Sequence, residues 1–389
     1  MTIPSAAVRT VVVVGGAGAF GRRLVEGLVA TSDFAVVVAG RDLARAEACA
    51  RGFPVGRARA LRLDAATVEA EELRRSGAFV VADAAGPFQG ASYRLARAAI
   101  EAGLHYVDLA DARDFVAGFG ALDEAARATG VVALTGASST PGLSHAVLDR
   151  LTAGWRRIDT IEIAISPGNR NSPRGLSVIH AILSYAGKPV RVFEGGGWTV
   201  RPGWGRPVRR EMPGLGRRWL SLCETPDLDL VPERFAPRQT AVFRAGLELS
   251  AMHLGLYLAG LLVRARLLPS LVPFARPLRW MAERLKGLGS DRGGMMVEVR
   301  GIDAAGVAVR AVWSLIAEAG DGPAVPTLPA LAAIRGLADG SLSQPGARAC
   351  AGVLNLDAIE REFAPYRIST QLEASEDRAA LAVPATARR

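Results

Sequence analysis

An α/β protein in two parts, a doubly wound parallel sheet followed by a second, mixed α/β domain, is predicted by three observations. Four β-branched residues, Val11 to Val14, run straight into a glycine cluster and then into a helical pattern. From there to about residue 140, apolar strand-like runs alternate with segments of helical period. The 389 residues are 50% hydrophobic, which is enough material for more than one core.

The glycine cluster lies in VVVVGGAGAFG, where Gly16, Gly18 and Gly21 match the spacing GxGxxG. Each has a mechanical reason to be glycine in the Rossmann fold: a sharp exit from the strand, close approach of backbone to a pyrophosphate, and tight helix-on-strand packing. Ala19 and Phe20 begin the helix, whose unpaired N–H groups and positive dipole end attract phosphate. A strand-to-helix turn without ligand is the plainer alternative. The strand before the glycines and the helix after them favour the dinucleotide.

The second strand, Ala35 to Ala39, ends at Gly40, Arg41 and Asp42. A site for NAD usually ends this strand with a carboxylate for the ribose 2′-hydroxyl, whereas a site for NADP has a small residue there and an arginine nearby. Gly40 followed by Arg41 fits NADP, with the guanidinium on the 2′-phosphate. NAD stays open if Asp42 takes the ribose.

Further strands are expected at Ala58 to Leu63, Ala78 to Ala82, His105 to Leu109 and Val131 to Thr135, with helices between them, including Thr67 to Ser76 and one long helix from Ala112 to Thr129. Right-handed crossovers then give the strand order 3-2-1-4-5-6, with the ligand at the carboxyl ends of the strands. Three loops join the glycine turn at that edge. Asp64 ends the third strand and would reach the adenine side; Ala85, Gly86 and Pro87 follow the fourth, beside the nicotinamide ribose; Asp108 to Asp111 closes the fifth.

The first domain is expected over residues 1–140 and a substrate or dimerisation domain over 141–325. In the second, Pro141 starts a helix through His145 to Leu151, Ile158 to Ser166 alternates as a strand, and Met295 to Ile302 with Val307 to Ile316 reads as a hairpin. The fifteen residues Leu249 to Val263 are apolar on nearly every side, which is short for a membrane span and fits a buried helix or a membrane-surface or lipid-substrate wall. Residues 326–372 are expected to return as helices packing on the first domain, and residues 373–389 form a charged, alanine-rich tail without a core pattern.

The net charge of +9 comes from 47 basic residues of which only Lys188 and Lys286 are lysines, scattered without a nucleic-acid-binding motif. Nucleic acid is therefore not an expected partner. Cys49, Cys223 and Cys350 form neither a disulfide framework nor a metal spacing, so no metal is expected. No secretion signal core precedes the first strand, which points to the cytoplasm, with membrane association left open.

Together, VVVVGGAGAFG, AGRD at Ala39 to Asp42, AAGPFQG at Ala84 to Gly90, AGLHYVDLAD at Ala102 to Asp111 and TPGL at Thr140 to Leu143 resemble the saccharopine-dehydrogenase-like NAD(P)-binding oxidoreductases. Beyond residue 150 the resemblance thins to GGMMVEVRG at 293–301 and GDGP at 320–323. It implies a Rossmann domain, a second domain whose sheet closes over the nicotinamide, and a homodimer. True saccharopine reductases act on an imine bearing several carboxylates. No clustered cationic set for such a substrate is legible here, and the apolar 249–268 region points to a small or lipid-like substrate.

Hydride transfer is the cofactor's chemistry, so the protein must mainly place the substrate and supply a proton. Candidate proton-handling residues are Asp108, Asp111 and His145, with His105 set behind them because it stands where the fifth strand begins. A histidine packed at a helix start, and an aspartate bonding backbone amides, are the competing structural readings. Glu298 and Arg300 share one face of the hairpin, as substrate contacts or as an ion ladder. A dinucleotide-binding protein without turnover remains the alternative from another class, and a peripheral membrane reductase a third.

Overall fold

A computed structural model describes residues 8–30, 33–170 and 175–377. These residues divide into two compact units, each assembled from two separate stretches of chain: residues 1–143 with 323–362, and 144–322 with 363–389.

The first unit is the expected parallel sheet. Its strands β1 (Arg9–Val14), β2 (Phe34–Gly40), β3 (Ala58–Arg62), β4 (Val80–Asp83), β5 (His105–Asp108) and β6 (Val132–Thr135) follow the order 3-2-1-4-5-6. Val11, Val12 and Val13 are fully buried in the centre, as strands covered on both faces require. Helix α1 (Ala19–Val29) lays Leu24, Val25 and Leu28 into the core, and helix α2 (Leu43–Ala50) follows β2.

Two expected helices differ. The one expected over 112–129 breaks into Arg113–Gly118, a 3-10 turn Phe119–Leu122 and Asp123–Ala128. Gly118 interrupts the helix, packed so closely under the Tyr93 hydroxyl that a Cβ there would lie 2.5 Å from it. The helix expected from Thr67 shortens to Ala70–Arg74, because the Asp64 carboxylate accepts from the Ala66 amide and holds the preceding residues in a turn.

The chain's later return also differs from expectation. Helix Leu328–Asp339 does pack in the first unit, where Leu328, Ala333 and Ile334 are buried, and it ends on Gly340 at φ 82°. Beyond it, Gly346–Ala349 adds a seventh parallel strand beside β6.

The second unit is a mixed sheet around the long strand β7 (Arg157–Ser166). Its further strands in chain order are β8 (Pro189–Glu194), β9 (Gly197–Pro202), β10 (Val208–Met212), β11 (Gly216–Leu222), β12 (Thr240–Ala245), β13 (Gly293–Ile302) and β14 (Ala308–Ala317). The Gly346–Ala349 strand is then β15, and Ile368–Glu376 is β16. The main path runs β10-β11-β12-β7-β13-β14-β16, with β8 and β9 branching from β12. Strand β7 pairs parallel with β12 and antiparallel with β13.

β16 corrects the expected start of the tail at residue 373: residues 368–376 pair antiparallel along all of β14. The rest of that expected tail, from residue 378, lies outside the described residues. Met296 and Trp313 on this sheet are both core, 3% and 2% exposed.

Of the readings open for 249–263, the structure departs from the buried helix: in Ser250–Arg264 only His253, Gly260 and Val263 are buried. His253 anchors it. Leu247 donates its amide to Nδ1, so Nε2 carries the proton that it donates to Ser221 Oγ at 2.9 Å. Burial lowers this imidazole's pKa to about 4. No helix among the described residues is long and apolar enough to cross a membrane.

Candidate functional site

The glycine loop is held at the carboxyl edge of the parallel sheet by backbone bonds to its neighbours. Gly15 donates to the Ala39 carbonyl at 2.8 Å, and Ala84 donates to the Val14 carbonyl at 2.9 Å. Gly15 sits at φ 75°, and a Cβ there would fall 2.8 Å from the Ala84 oxygen and the Ala85 Cα. The backbones of the glycine loop and of the Ala84–Pro87 loop are thus in contact. Ala85 and Pro87 are exposed and Gly86 half-buried, and the Gly86–Pro87 bond is cis.

Gly21 is buried where α1 crosses this loop, and a Cβ there would run into the Gly15 carbonyl. Gly16 is equally confined, with Val13 O at 2.9 Å and Val38 Cγ1 at 3.1 Å from its would-be Cβ. Gly18 is the N-cap of α1, extended at φ −80° and ψ 178°, and brings no side chain to the first turn. Ala19 and Phe20 follow with no acidic residue among them. This helix start is open to an anion, and the cradle fits a pyrophosphate.

At the end of β2 a Cβ on Gly40 would meet nothing within 4 Å, so room is left there. Arg41 is exposed, with no hydrogen bond or ion pair among the described residues. The Asp42 carboxylate is engaged as the N-cap of α2, accepting from the Arg45 amide at 3.1 Å. Arg45, which the sequence reading passed over, reaches back toward the Ala17 carbonyl at 3.4 Å. Asp64 is exposed and occupied with its own turn through the Ala66 amide.

The three candidate proton-handling residues are placed differently. Asp108 is fully buried; its Oδ1 accepts from the Gly136 amide at 2.7 Å, the Ala110 amide at 2.9 Å and Thr135 Oγ1 at 2.9 Å, while Oδ2 has no partner. This is the amide-bonding arrangement, tying the turn after β5 to the turn after β6. Asp111 is exposed and accepts from the Gln89 amide at 3.3 Å. His145 belongs to the second unit and is fully buried. Arg234 donates to its Nδ1 at 3.0 Å, which leaves the ring proton on Nε2, 3.5 Å from Asp227. Phe235 packs on the ring at 5.6 Å. The neighbours of His145 in that unit, Arg234, Asp227 and Phe235, are those of a packed histidine.

A residue the sequence reading missed stands beside Asp108. Asp83 ends β4 in direct register with Asp108, is buried, and accepts from the Tyr106 hydroxyl at 3.3 Å and the Ala85 amide at 2.9 Å. Burial raises Asp83 to about 6 against the pull of those two donors. Burial likewise raises Asp108 to about 7, opposed by the Gly136 and Ala110 amides and reinforced by the Asp83 charge. Close by, Cys350 donates its amide to the Thr135 carbonyl, and burial pushes its thiol up to about 12, so it is no nucleophile.

Beside the Ala84–Gly90 loop lies an open cavity of about 530 Å³ lined by Phe88, Tyr93, Arg94, Arg97, Asp114 and Phe115. Arg94 is bonded to the Thr67 and Val68 carbonyls, whereas Arg97 is exposed at the rim. On the second unit's sheet, Glu298 is paired with Arg300 at 2.9 Å and Arg310 at 2.6 Å, which is the ion ladder rather than a free pair. Among the described residues there is no cluster of metal ligands.

The chain is similar to known proteins in its first domain and in its fold. Residues 11–134 match the family model described as the saccharopine dehydrogenase NADP binding domain. No curated protein sequence matches. Among solved structures, apo saccharopine dehydrogenase (L-Glu forming) from Saccharomyces cerevisiae is similar in fold, with TM-score 0.66 and 14% identity over 94% of this chain and 100% of that one. Biliverdin reductase from Synechocystis sp. PCC 6803, in complex with biliverdin and NADP+, matches at TM-score 0.40 and 12% identity over 92% and 96% of the two chains.

Proposed function

We propose that this chain, whose residues 11–134 are a saccharopine dehydrogenase-type NAD(P)-binding domain, is an NADP-dependent oxidoreductase acting on a C=N, C=O or activated C=C of a small or lipid-like substrate. The observation that carries the reading is the cradle itself: an α1 start without a side-chain cap, under glycines that admit no Cβ, with an unengaged Arg41 at the end of β2.

Gly16, Gly18, Ala19, Phe20 and Gly21 would hold the pyrophosphate through backbone amides and the dipole of α1. Arg41 would pair with the 2′-phosphate over Gly40, with Arg45 adding charge; the N-cap role of Asp42 leaves it poorly disposed to take a ribose hydroxyl. Ala85, Gly86 and Pro87 would border the nicotinamide side. Bound there, the cofactor supplies the hydride. Proton delivery does not fall to Asp108, which is buried and bonded three times, and the exposed Asp111 is the remaining candidate.

NADPH should bind in preference to NADH, and Arg41→Ala should remove about ten- to a hundredfold of that preference, the worth of one charge-assisted contact to phosphate. Calorimetric titration of both coenzymes into parent and variant measures it; equal affinities in the parent would overturn the NADP reading.

A second reading, a dinucleotide-binding protein without turnover, draws on the burial of both Asp108 and His145. It is excluded by cofactor oxidation with any member of a panel of imines, ketones and enones.

A further inference from the structure

Soluble helices bury their apolar stripe and turn charge outward. Helix Ser250–Arg264 instead leaves an apolar stripe uncovered. Between its exposed ends, Ser250 and Arg264, the exposed positions Ala251, Gly255, Leu258 and Leu262 recur at spacings of three and four, so they form one stripe, and that stripe carries no charge. Leu258 is 60% exposed and Leu262 43%. The chain continues through Leu267, 71% exposed, to the helix Ala275–Arg284, where only Ala275 and Ala282 are buried and Trp280 is 62% exposed.

Charge on the same stretch is one-sided. Residues 249–288 contain Arg264, Arg266, Arg276, Arg279, Arg284 and Lys286 against the single acid Glu283. All six cations are exposed, and none forms an ion pair among the described residues. Arg284 instead lies over the Trp280 ring at 4.8 Å. Several arginines elsewhere in the second unit are held otherwise: Arg201, Arg206, Arg210, Arg244, Arg300 and Arg310 are each paired with a glutamate.

We propose that residues 249–288 seat the protein on an anionic membrane surface. Leu258, Leu262, Leu267 and Trp280 would enter the boundary between headgroups and acyl chains, and the unpaired cations would lie against lipid phosphate. Neither helix is long enough to cross, so the contact is peripheral. A second copy of the chain is the poorer occupant, because a two-fold interface meets itself and would bring five net positive charges against five. An anionic bilayer answers both the apolar stripe and the charge. The inference is independent of catalysis and of cofactor choice.

The test is co-sedimentation of the full chain with phosphatidylcholine vesicles and with vesicles that also contain phosphatidylglycerol, at low and high salt. Binding is expected to the anionic vesicles, with release by salt. The triple variant Arg276→Gln, Arg279→Gln, Arg284→Gln should weaken it about a hundredfold. The pair Leu258→Gln and Leu262→Gln should weaken it at any salt, and since both side chains are exposed the fold should survive, as the melting temperature will report. Absence of binding to anionic vesicles, equal binding to neutral ones, or a dimer that the Leu258 and Leu262 changes dissociate would overturn the proposal.

Discussion

Replacing Gly21 with alanine is expected to abolish measurable NADPH binding and to lower the melting temperature by several degrees. The added methyl would run into the Gly15 carbonyl, and the obstacle is backbone at the centre of the loop, not the end of a side chain that can swing away. Relief requires α1 to lift from β1. That moves the amides of the first turn, which must meet the pyrophosphate, and overpacking of this kind costs about 1–3 kcal/mol in stability. Gly40→Ala is the matched control, since its methyl would meet nothing within 4 Å and its melting temperature should match the parent. Calorimetry and thermal unfolding of both variants check the pair. Full NADPH affinity in Gly21→Ala would show that the loop does not hold the cofactor as described.

Stability should fall as pH rises between about 4 and 7, and Asp108→Asn should reduce that slope, leaving the smaller contribution of Asp83, which is raised to about 6. Asp108 is raised from 3.8 to about 7. Over that window the folded chain keeps a proton that the unfolded chain has released, so the folded state binds more protons and raising the pH favours unfolding. The penalty is absent below the unfolded pKa, grows through the window and is complete above about 7. A shift of that size corresponds to roughly 4 kcal/mol at most. Asparagine keeps an oxygen for the Gly136 and Ala110 amides and removes the titration. Urea unfolding at several pH values measures the slope; an unchanged slope in Asp108→Asn would mean that Asp108 is not the group responsible. His253 works in the opposite sense, because its pKa is lowered to about 4, and it costs stability only as pH drops below about 6.5.

The features read correctly from sequence are those whose signal is local. Gly16, Gly18 and Gly21 lie within six residues, and the valine run before them is buried on both faces, so spacing and pattern coincide. What escaped depends on partners far along the chain. β15 reads GARA, four residues without a β-branched side chain, and it is a strand only because β6 offers an open edge more than two hundred residues earlier. β16 is exposed along nearly its whole length and carries Glu373 and Glu376, a composition suited to a charged edge strand and indistinguishable locally from a tail. Asp83 went unnoticed because the fourth strand was expected to end at Ala82. His145 was legible as a histidine near a helix start, but the arginine that fixes its tautomer lies 89 residues away. In Ser250–Arg264, composition showed a helix apolar all round without showing which side the fold would leave uncovered.

The interleaving of the two units limits where the chain can be divided. A fragment ending at residue 143 would contain the whole glycine cradle yet leave β6 as a bare sheet edge, ready to recruit a strand from a neighbouring molecule. A fragment ending at residue 322 would strip the outermost strand from both sheets at once. During synthesis, then, neither sheet closes until the last fifth of the chain has emerged, and the opening segment must wait with its edge unprotected for most of translation.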